Sequence, residues 1–398
     1  MSQDTEPISS DPAGSLGTYG NSCAVPGQRW SREARMALRE ALWEHSVIED
    51  IRKCGRVPCA HLMAIREHGG GYRLGGLCRC DSVWSCPVCA PEIRSRRGEE
   101  IGGAIELHLG EARGVAFGSA TLPHGVGDRL KRSYSVVASA WAAVNRDWSV
   151  RQFRDRHGFW GFCRTCEVTY GVNGWHPHAH WVDFWDDPLG PEDVADYQAI
   201  VYGAWSRSVV RQGFRLPSVA HGVVVKCVVD RREAARDLGQ YMTEMSPGRA
   251  GHELTAMSTK QALRGGLGPF DILSKLHLGD LDPWLRLWNE YERGTRGRRM
   301  LGPSHGLFDR VGIALDDPDT SETGPVVASI DSETWGRIRF FGRGLGGAQL
   351  ALERAAVGGQ IGVDAAVAVL LGGAPVVPAL RSDSFQMVLG PGDDGGMF

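Results

Sequence analysis

The chain has no run of about 20 apolar residues, so no membrane-spanning helix is expected. Its opening, "MSQDTEPISSDPAGSLGTYG", is polar and acidic. It lacks the charged-then-apolar order of a secretory leader, and a cytoplasmic location is expected. An excess of one charge is also missing. With 44 Lys+Arg against 47 Asp+Glu the formal net charge is −3, so bulk charge does not announce a nucleic-acid partner. No internal repeat is found. Lysine is scarce beside arginine. A GC-rich coding sequence would produce that bias, but arginine also suits bidentate phosphate contacts.

Cysteine is not scarce. Ten cysteines in a small secreted chain would imply a disulfide framework. In a large cytosolic chain, clustered cysteines read better as metal ligands. Charge is also distributed unevenly. "CAPEIRSRRGEE" and "YERGTRGRRM" are locally basic, while the tail beyond about residue 311 is acidic.

At 398 residues, 42% hydrophobic and 23% charged, the chain is ordinary globular material for two or three domains. Residues 1–29 read as a disordered arm. Residues 30–110 read as a helix leading into a cysteine-rich zinc module. Over 111–250 the elements alternate: strand "GVAFGSATL", a helix within 127–150, strand "FCRTCEVTY", turn "GVNG", strand "WHPHAHWVDFW", a helix opening at "PEDV", strand "HGVVVKCVV" and helix "DRREAARDLGQYMTEM". That order is α+β and resembles a split βαβ, ferredoxin-like arrangement with an antiparallel sheet. Residues 251–310 form a helical extension. Residues 311–398 form an acidic, partly ordered tail, with "WGRIRFFG" as a strand candidate before an Ala/Gly-rich helix.

The return strand carries His176, His178 and His180 at every second position. Alternate residues of a strand share a face, so three imidazoles line one side. Their alternative role is a polar surface of the sheet. His176 precedes Pro177 near the turn, whereas His178 and His180 lie deeper. The latter two are therefore the expected metal ligands, with His176 at the edge. If Asn173-Gly174 forms the turn, Glu167 lies opposite His180; a one-step change puts it opposite His178–Ala179. Directly opposed Cβ atoms are about 5 Å apart, so Glu167 is the expected third ligand. Two imidazoles and a carboxylate suit Mn²⁺ or Mg²⁺ acting on a phosphate, and Zn²⁺ also accepts them.

In "ARDLGQYMTEM", Asp237 and Tyr241 stand four apart and are neighbours on one helix face. By spacing alone they are equally a boundary tyrosine and a solvated aspartate. Taken together, "EVTYGVNGWHPHAHW" and "LGQYMTEM" resemble the HUH endonucleases, in particular plasmid rolling-circle replication initiators of the Rep type. "FGSATLPH" looks like that family's first motif. The "GLCRCDSVWSCPVCAPEIRSRR" stretch looks like the cysteine-bearing region before its catalytic domain. "RGGLGPFDIL" and "WNEYERGTRGRRMLGPSHGLF" are similar to weaker blocks. The resemblance spans about residues 50–310.

The resemblance implies that His178 and His180 bind a divalent metal and that Tyr241 attacks DNA, giving a 5′-phosphotyrosyl link and a free 3′-OH primer. Asp237 stands where some relatives carry a glutamate that activates water, one methylene shorter here. Glu244 departs from the lysine often found three residues after the tyrosine. The implied partners are plasmid origin DNA, at a single-stranded or hairpin nick site, and the host helicase and polymerase. Cys86-Pro-Val-Cys89 is a C-x-x-C knuckle for structural Zn²⁺. By resemblance Cys54 and Cys80 complete it, with Cys59 and Cys78 as alternatives. Arg94, Arg96 and Arg97 follow on a helix where they would meet DNA phosphates, or else form a solvated face. The same residues are open to three other readings: a transposase or mobilisation relaxase, a non-catalytic zinc-containing DNA-binding regulator, and a zinc hydrolase of a small substrate.

Overall fold

The computed structural model describes residues 30–228, 266–279, 281–313, 323–341 and 344–372. In chain order come helices α1 (Arg32–His45) and α2 (Glu49–Lys53), strands β1 (Leu62–His68) and β2 (Gly71–Leu74), helix α3 (Cys89–Gly110) and strand β3 (Gly114–Thr121). Helices α4 (Leu130–Arg146) and α5 (Trp148–Arg156) lead to strands β4 (Phe159–Gly171) and β5 (Gly174–Trp185), helix α6 (Pro191–Arg211) and strand β6 (Val223–Val228). Then follow α7 (Pro269–His277), α8 (Trp284–Thr295), β7 (Leu301–Pro303), α9 (Leu307–Arg310), β8 (Val326–Asp331), α10 (Ser332–Phe341), α11 (Leu345–Ala355) and α12 (Gly359–Leu371). The described residues are α+β and form two antiparallel sheets.

The larger sheet has the order β6-β3-β5-β4-β7. Strand alternation sorts its side chains. On one face Ala120, Cys166, Trp175, Ala179 and Trp181 enter a core with α4, α6, α7 and α8. On the other, Val115, Cys163, Val182 and Phe184 meet Ile101 and Ile105 of α3 and Leu307 of α9. A one-residue slip of β5 would exchange the two sets. Val182 and Phe184 are each worth about 1.5–3 kcal/mol when buried, so the slip is strongly disfavoured.

Helix boundaries follow local caps. Ser31 accepts from Ala34 N at 3.1 Å and starts α1. The single helix expected within 127–150 is instead two. Asp147 takes an extended backbone and accepts from the amides of Ser149 and Val150, so it ends α4 and caps α5.

The smaller sheet, β2-β1-β8, joins the two ends of the described chain. Its core includes Met63, Ile65, Ile330, Trp335 and Leu352. Helix α11 locks onto α1: Glu353 accepts from Arg32 at 2.8 Å and from Leu74 N at 3.1 Å, and Glu40 accepts from Gly346 N at 2.6 Å. The described part of the expected tail therefore folds with the N-terminal module. "WGRIRFFG" is not a strand, because it lies largely in α10; the strand is the preceding "VVASID". Asp331 accepts from Thr334 N at 2.6 Å, and Trp335 and Ile338 are buried three residues apart, which is helical spacing. Against the expectation of no such stretch, Leu345–Leu371 is long and apolar enough to cross a membrane by length and composition. Here it is broken at Gly359, whose φ is +60°, into α11 and α12.

A buried polar group sits on the helix-covered face. Asp183 accepts from Trp181 Nε1 at 2.7 Å and lies 3.9 Å from Arg154, whose guanidinium donates to Tyr197 Oη at 2.9 and 3.1 Å. Burial pushes the Asp183 carboxyl up to about 6, against the pull of Arg154, Trp181 and Tyr197. A raised native pKa means that the folded state holds the proton more tightly than the unfolded chain. This group therefore makes stability fall as pH rises from about 4 to about 6, and the loss persists above that. Unfolding free energies of wild type and Asp183→Asn, measured across that window, should shift in favour of the variant as pH rises. A pH-independent difference would contradict the assignment.

Gly118 pairs with Trp181, and a β-carbon at Gly118 would overlap the indole. Gly118→Ala should cost about 1–3 kcal/mol by overpacking. The urea midpoint tests this, and an unchanged midpoint would reject it.

Candidate metal centres

The β4–β5 hairpin turns through Val172 and Asn173, with Gly171 paired to Gly174. Gly174, at φ +85°, takes the left-handed conformation, and Asn173 does not. The loop is thus centred one residue earlier than an Asn173-Gly174 turn. As a result Glu167 stands directly opposite His178, and Thr165 stands opposite His180.

Glu167, His178 and His180 each bring a ligand atom within 4.8 Å of the others. Glu167 Oε2 lies 2.8 Å from His178 Nε2 and 3.4 Å from His180 Nε2. Burial opposes ionisation of Glu167, but His178 and His180 more than offset it and hold the carboxyl well below its usual range. All three side chains are partly exposed, His180 most at 26%. They share a sheet face with Val182 and Phe184, which α3 and α9 cover. Two imidazole nitrogens and a carboxylate oxygen fit a hard or borderline divalent cation.

His176 stands outside this group. Its Nδ1 lies 3.1 Å from His124 Nδ1, and burial first, then the neighbouring His178 and His124, pushes its pKa down to about 3. His124 closes the row of histidines but was not picked out from sequence. It sits 52 residues earlier, just beyond β3, as the last residue of "FGSATLPH", the stretch that looks like the first motif. Tyr241, Asp237 and Glu244 lie outside the described residues.

The second group is Cys54, Cys80, Cys86 and Cys89. Cys54 ends α2 and Cys89 begins α3, so the cluster ties two helices to the loop between. The Sγ separations are 3.8 Å for Cys54–Cys86, 3.6 Å for Cys54–Cys89 and 3.9 Å for Cys80–Cys89. These are far from a disulfide bond. Four thiolates about 2.3 Å from a tetrahedral Zn²⁺ would sit roughly 3.8 Å apart, so the spacing fits the ion. Cys89 N also donates to Cys86 Sγ at 3.4 Å. Hydrogen bonds from Cys80, Cys86 and Cys89 push the Cys54 thiol down, while burial pushes Cys86 up. Cys59 is exposed and Cys78 half-buried, and neither belongs to the cluster.

Arg94 corrects an expectation. It is 2% exposed, donates to Val83 O at 2.8 and 2.5 Å and lies over Trp84, so it braces the cysteine loop and is inaccessible to a phosphate. Trp84 in turn donates to Arg298 O at 2.8 Å and packs edge-on against Tyr134 of α4. Arg96 and Arg97 are half-buried, and Arg97 pairs with Glu100 at 2.8 Å.

Over 330 residues, 68% of this chain, the sequence is 28% identical to "Protein rep" of Streptomyces lividans and covers 72% of that protein. Over 148 residues, 31% of the chain, it is 31% identical to a "Neomycin resistance protein" of Streptomyces cyanogenus, covering 34% of it. No protein-family profile matches the chain. No solved structure matches it either.

The cysteine geometry predicts a single bound zinc per chain. Elemental analysis should find it in wild type and in Cys59→Ser, and should find it lost in Cys86→Ser. Folded wild-type protein free of zinc would overturn the assignment.

Proposed function

We propose that the protein is a plasmid rolling-circle replication initiator of the HUH type, acting in the cytoplasm. The observation that carries this reading is the convergence of Glu167, His178 and His180 on the sheet face that α3 and α9 leave uncovered at one end. The similarity to "Protein rep" supports it. The order β6-β3-β5-β4, with helices crossing between β3 and β4 and between β5 and β6, supports a split βαβ, ferredoxin-like catalytic domain.

The chemistry follows from the obstacle. A phosphodiester repels nucleophiles because it is anionic. A divalent cation held by Glu167, His178 and His180 would supply positive charge at the scissile phosphate. Glu167, ionised at neutral pH, would serve as a ligand without first losing a proton. Tyr241 is the proposed nucleophile. Its phenolic oxygen forms a bond to phosphorus, the P–O3′ bond breaks, and the phenolic proton is balanced by the proton taken up at the 3′ oxygen. The products are a 5′-phosphotyrosyl link and a 3′-OH primer. Asp237 is the proposed base for the later water or hydroxyl that releases the link. The zinc-bound cysteine module would brace the domain from the side of α3.

Nicking of supercoiled plasmid carrying the cognate origin, with and without Mn²⁺, tests this. Tyr241→Phe should form no covalent DNA adduct. Removing Glu167 or both histidines should slow metal-dependent nicking on the order of 10²-fold or more. An adduct at wild-type level from Tyr241→Phe would refute the nucleophile. If wild-type protein binds DNA yet never forms an adduct, the non-catalytic regulator replaces this reading.

A further inference from the structure

A cavity of about 540 Å³ opens between α1, the β1–β2 hairpin, the cysteine loop and the start of α3. Arginine dominates its wall. Arg32, Arg35 and Arg39 recur at three- and four-residue spacing and so share one face of α1. Arg73 comes from β2, Arg79 from the cysteine loop, and Arg96 and Arg97 from α3. The acidic side chains on the wall are Asp81 and Glu92. Glu353 also holds Arg32, and four thiolates on a zinc ion would add two negative charges nearby. Glu100 pairs with Arg97, and Glu33 and Glu40 stand on α1, so the surroundings are balanced in charge; on the wall itself seven arginines face the cavity beside two acids.

These arginines are held in place. Arg39 is 3% exposed and donates to the neutral Gln349 at 3.0 Å. Its guanidinium lies against Gly55, where any side chain would overlap it. The Nε atoms of Arg32, Arg35 and Arg39 are buried and have no hydrogen-bond acceptor among the described residues. Burial pushes the Arg35 and Arg73 guanidiniums down, and the charge of Arg32 adds to this. These buried Nε atoms do not open onto the cavity; what recommends phosphate is that its oxygens match the guanidinium forks gathered on the wall. The volume suits a nucleotide-sized segment.

We propose that this cavity is a second DNA-binding site, separate from the histidine centre, that grips backbone phosphates without regard to base sequence. It rests on the reading of the protein as a DNA-acting enzyme. Arg79 and Arg97 stand at the rim, paired with Glu92 and Glu100, and the strand would run past them to Arg35 and Arg73, with buried Arg39 bracing the wall from behind.

The test uses the full-length chain and a fluorescent random-sequence single-stranded DNA, titrated over a series of salt concentrations. Arg35→Gln/Arg73→Gln should lower the slope of log affinity against log salt by about 1.4, since each phosphate contact on a single strand contributes about 0.7. Arg79→Gln, at the rim, should lower it by about 0.7, with its far-ultraviolet circular dichroism and zinc content unchanged. Affinity for random-sequence and origin-sequence single strands should fall by the same factor. Nicking of a short origin strand at saturating DNA should stay at the wild-type rate. Unchanged slopes in both variants would overturn the proposal. So would binding of inorganic pyrophosphate that depends on Arg35 and Arg73 while the DNA slope is unaltered, which would mark a small-anion site. Failure of the functional reading shows up differently, as the absence of any adduct from wild-type protein.

Discussion

The pairing of Glu167 with His178 across the β4–β5 hairpin is the constraint on which the candidate centre depends. The same alternation that drives Trp175, Ala179 and Trp181 into the core turns His176, His178 and His180 to the other face. Tryptophan burial therefore holds the imidazoles in place from behind. A slip of one residue would bury three histidines and expose two indoles, so the register is enforced by hydrophobic energy that far exceeds any interaction among the ligands. The donors stay together because the core holds them together.

The cysteine module is attached by a similar logic. Trp84 plugs the loop into α4, Arg94 braces it from beneath, and the thiol cluster joins α2 to α3. Helix α11 then closes over α1 through Glu353 and Gln349. Arginines that look alike in sequence are sorted by this packing. Arg39, Arg94 and Arg154 lie within the structure and satisfy an amide, a carbonyl and a hydroxyl, whereas the half-buried Arg35 and Arg73 line a cavity. The arginine-lined cavity and the histidine centre lie in different parts of the fold, one beside the cysteine module and one on the larger sheet.

Most strands of the larger sheet were legible because alternation is a local signal. The H-x-H-x-H row and the "GVNG" turn fall within one hairpin, so their partnership needed only a turn type to resolve. That turn was misplaced by one residue, because Gly174 alone takes the positive φ. The break at Asp147 was overlooked because apolar spacing continues through it, although a side-chain cap ends the helix. "WGRIRFFG" read as a strand because aromatic and branched residues are dense there, and burial of Trp335 with Ile338 settled it as a helix. The small sheet escaped notice because β1 and β8 are about 260 residues apart and neither is strongly alternating.

The sequence by itself determined the chemistry on offer: paired histidines with a carboxylate in reach, a C-x-x-C knuckle with further cysteines nearby, and arginine in place of lysine. Such features are carried by residue type and short spacing. Tertiary structure decided which of them meet. It chose Cys54 and Cys80 over Cys59 and Cys78, set Glu167 opposite His178, withdrew Arg94 from the surface and gathered arginines from four separate segments around one cavity. Those outcomes depend on burial and on contacts between distant segments, and local spacing does not encode either.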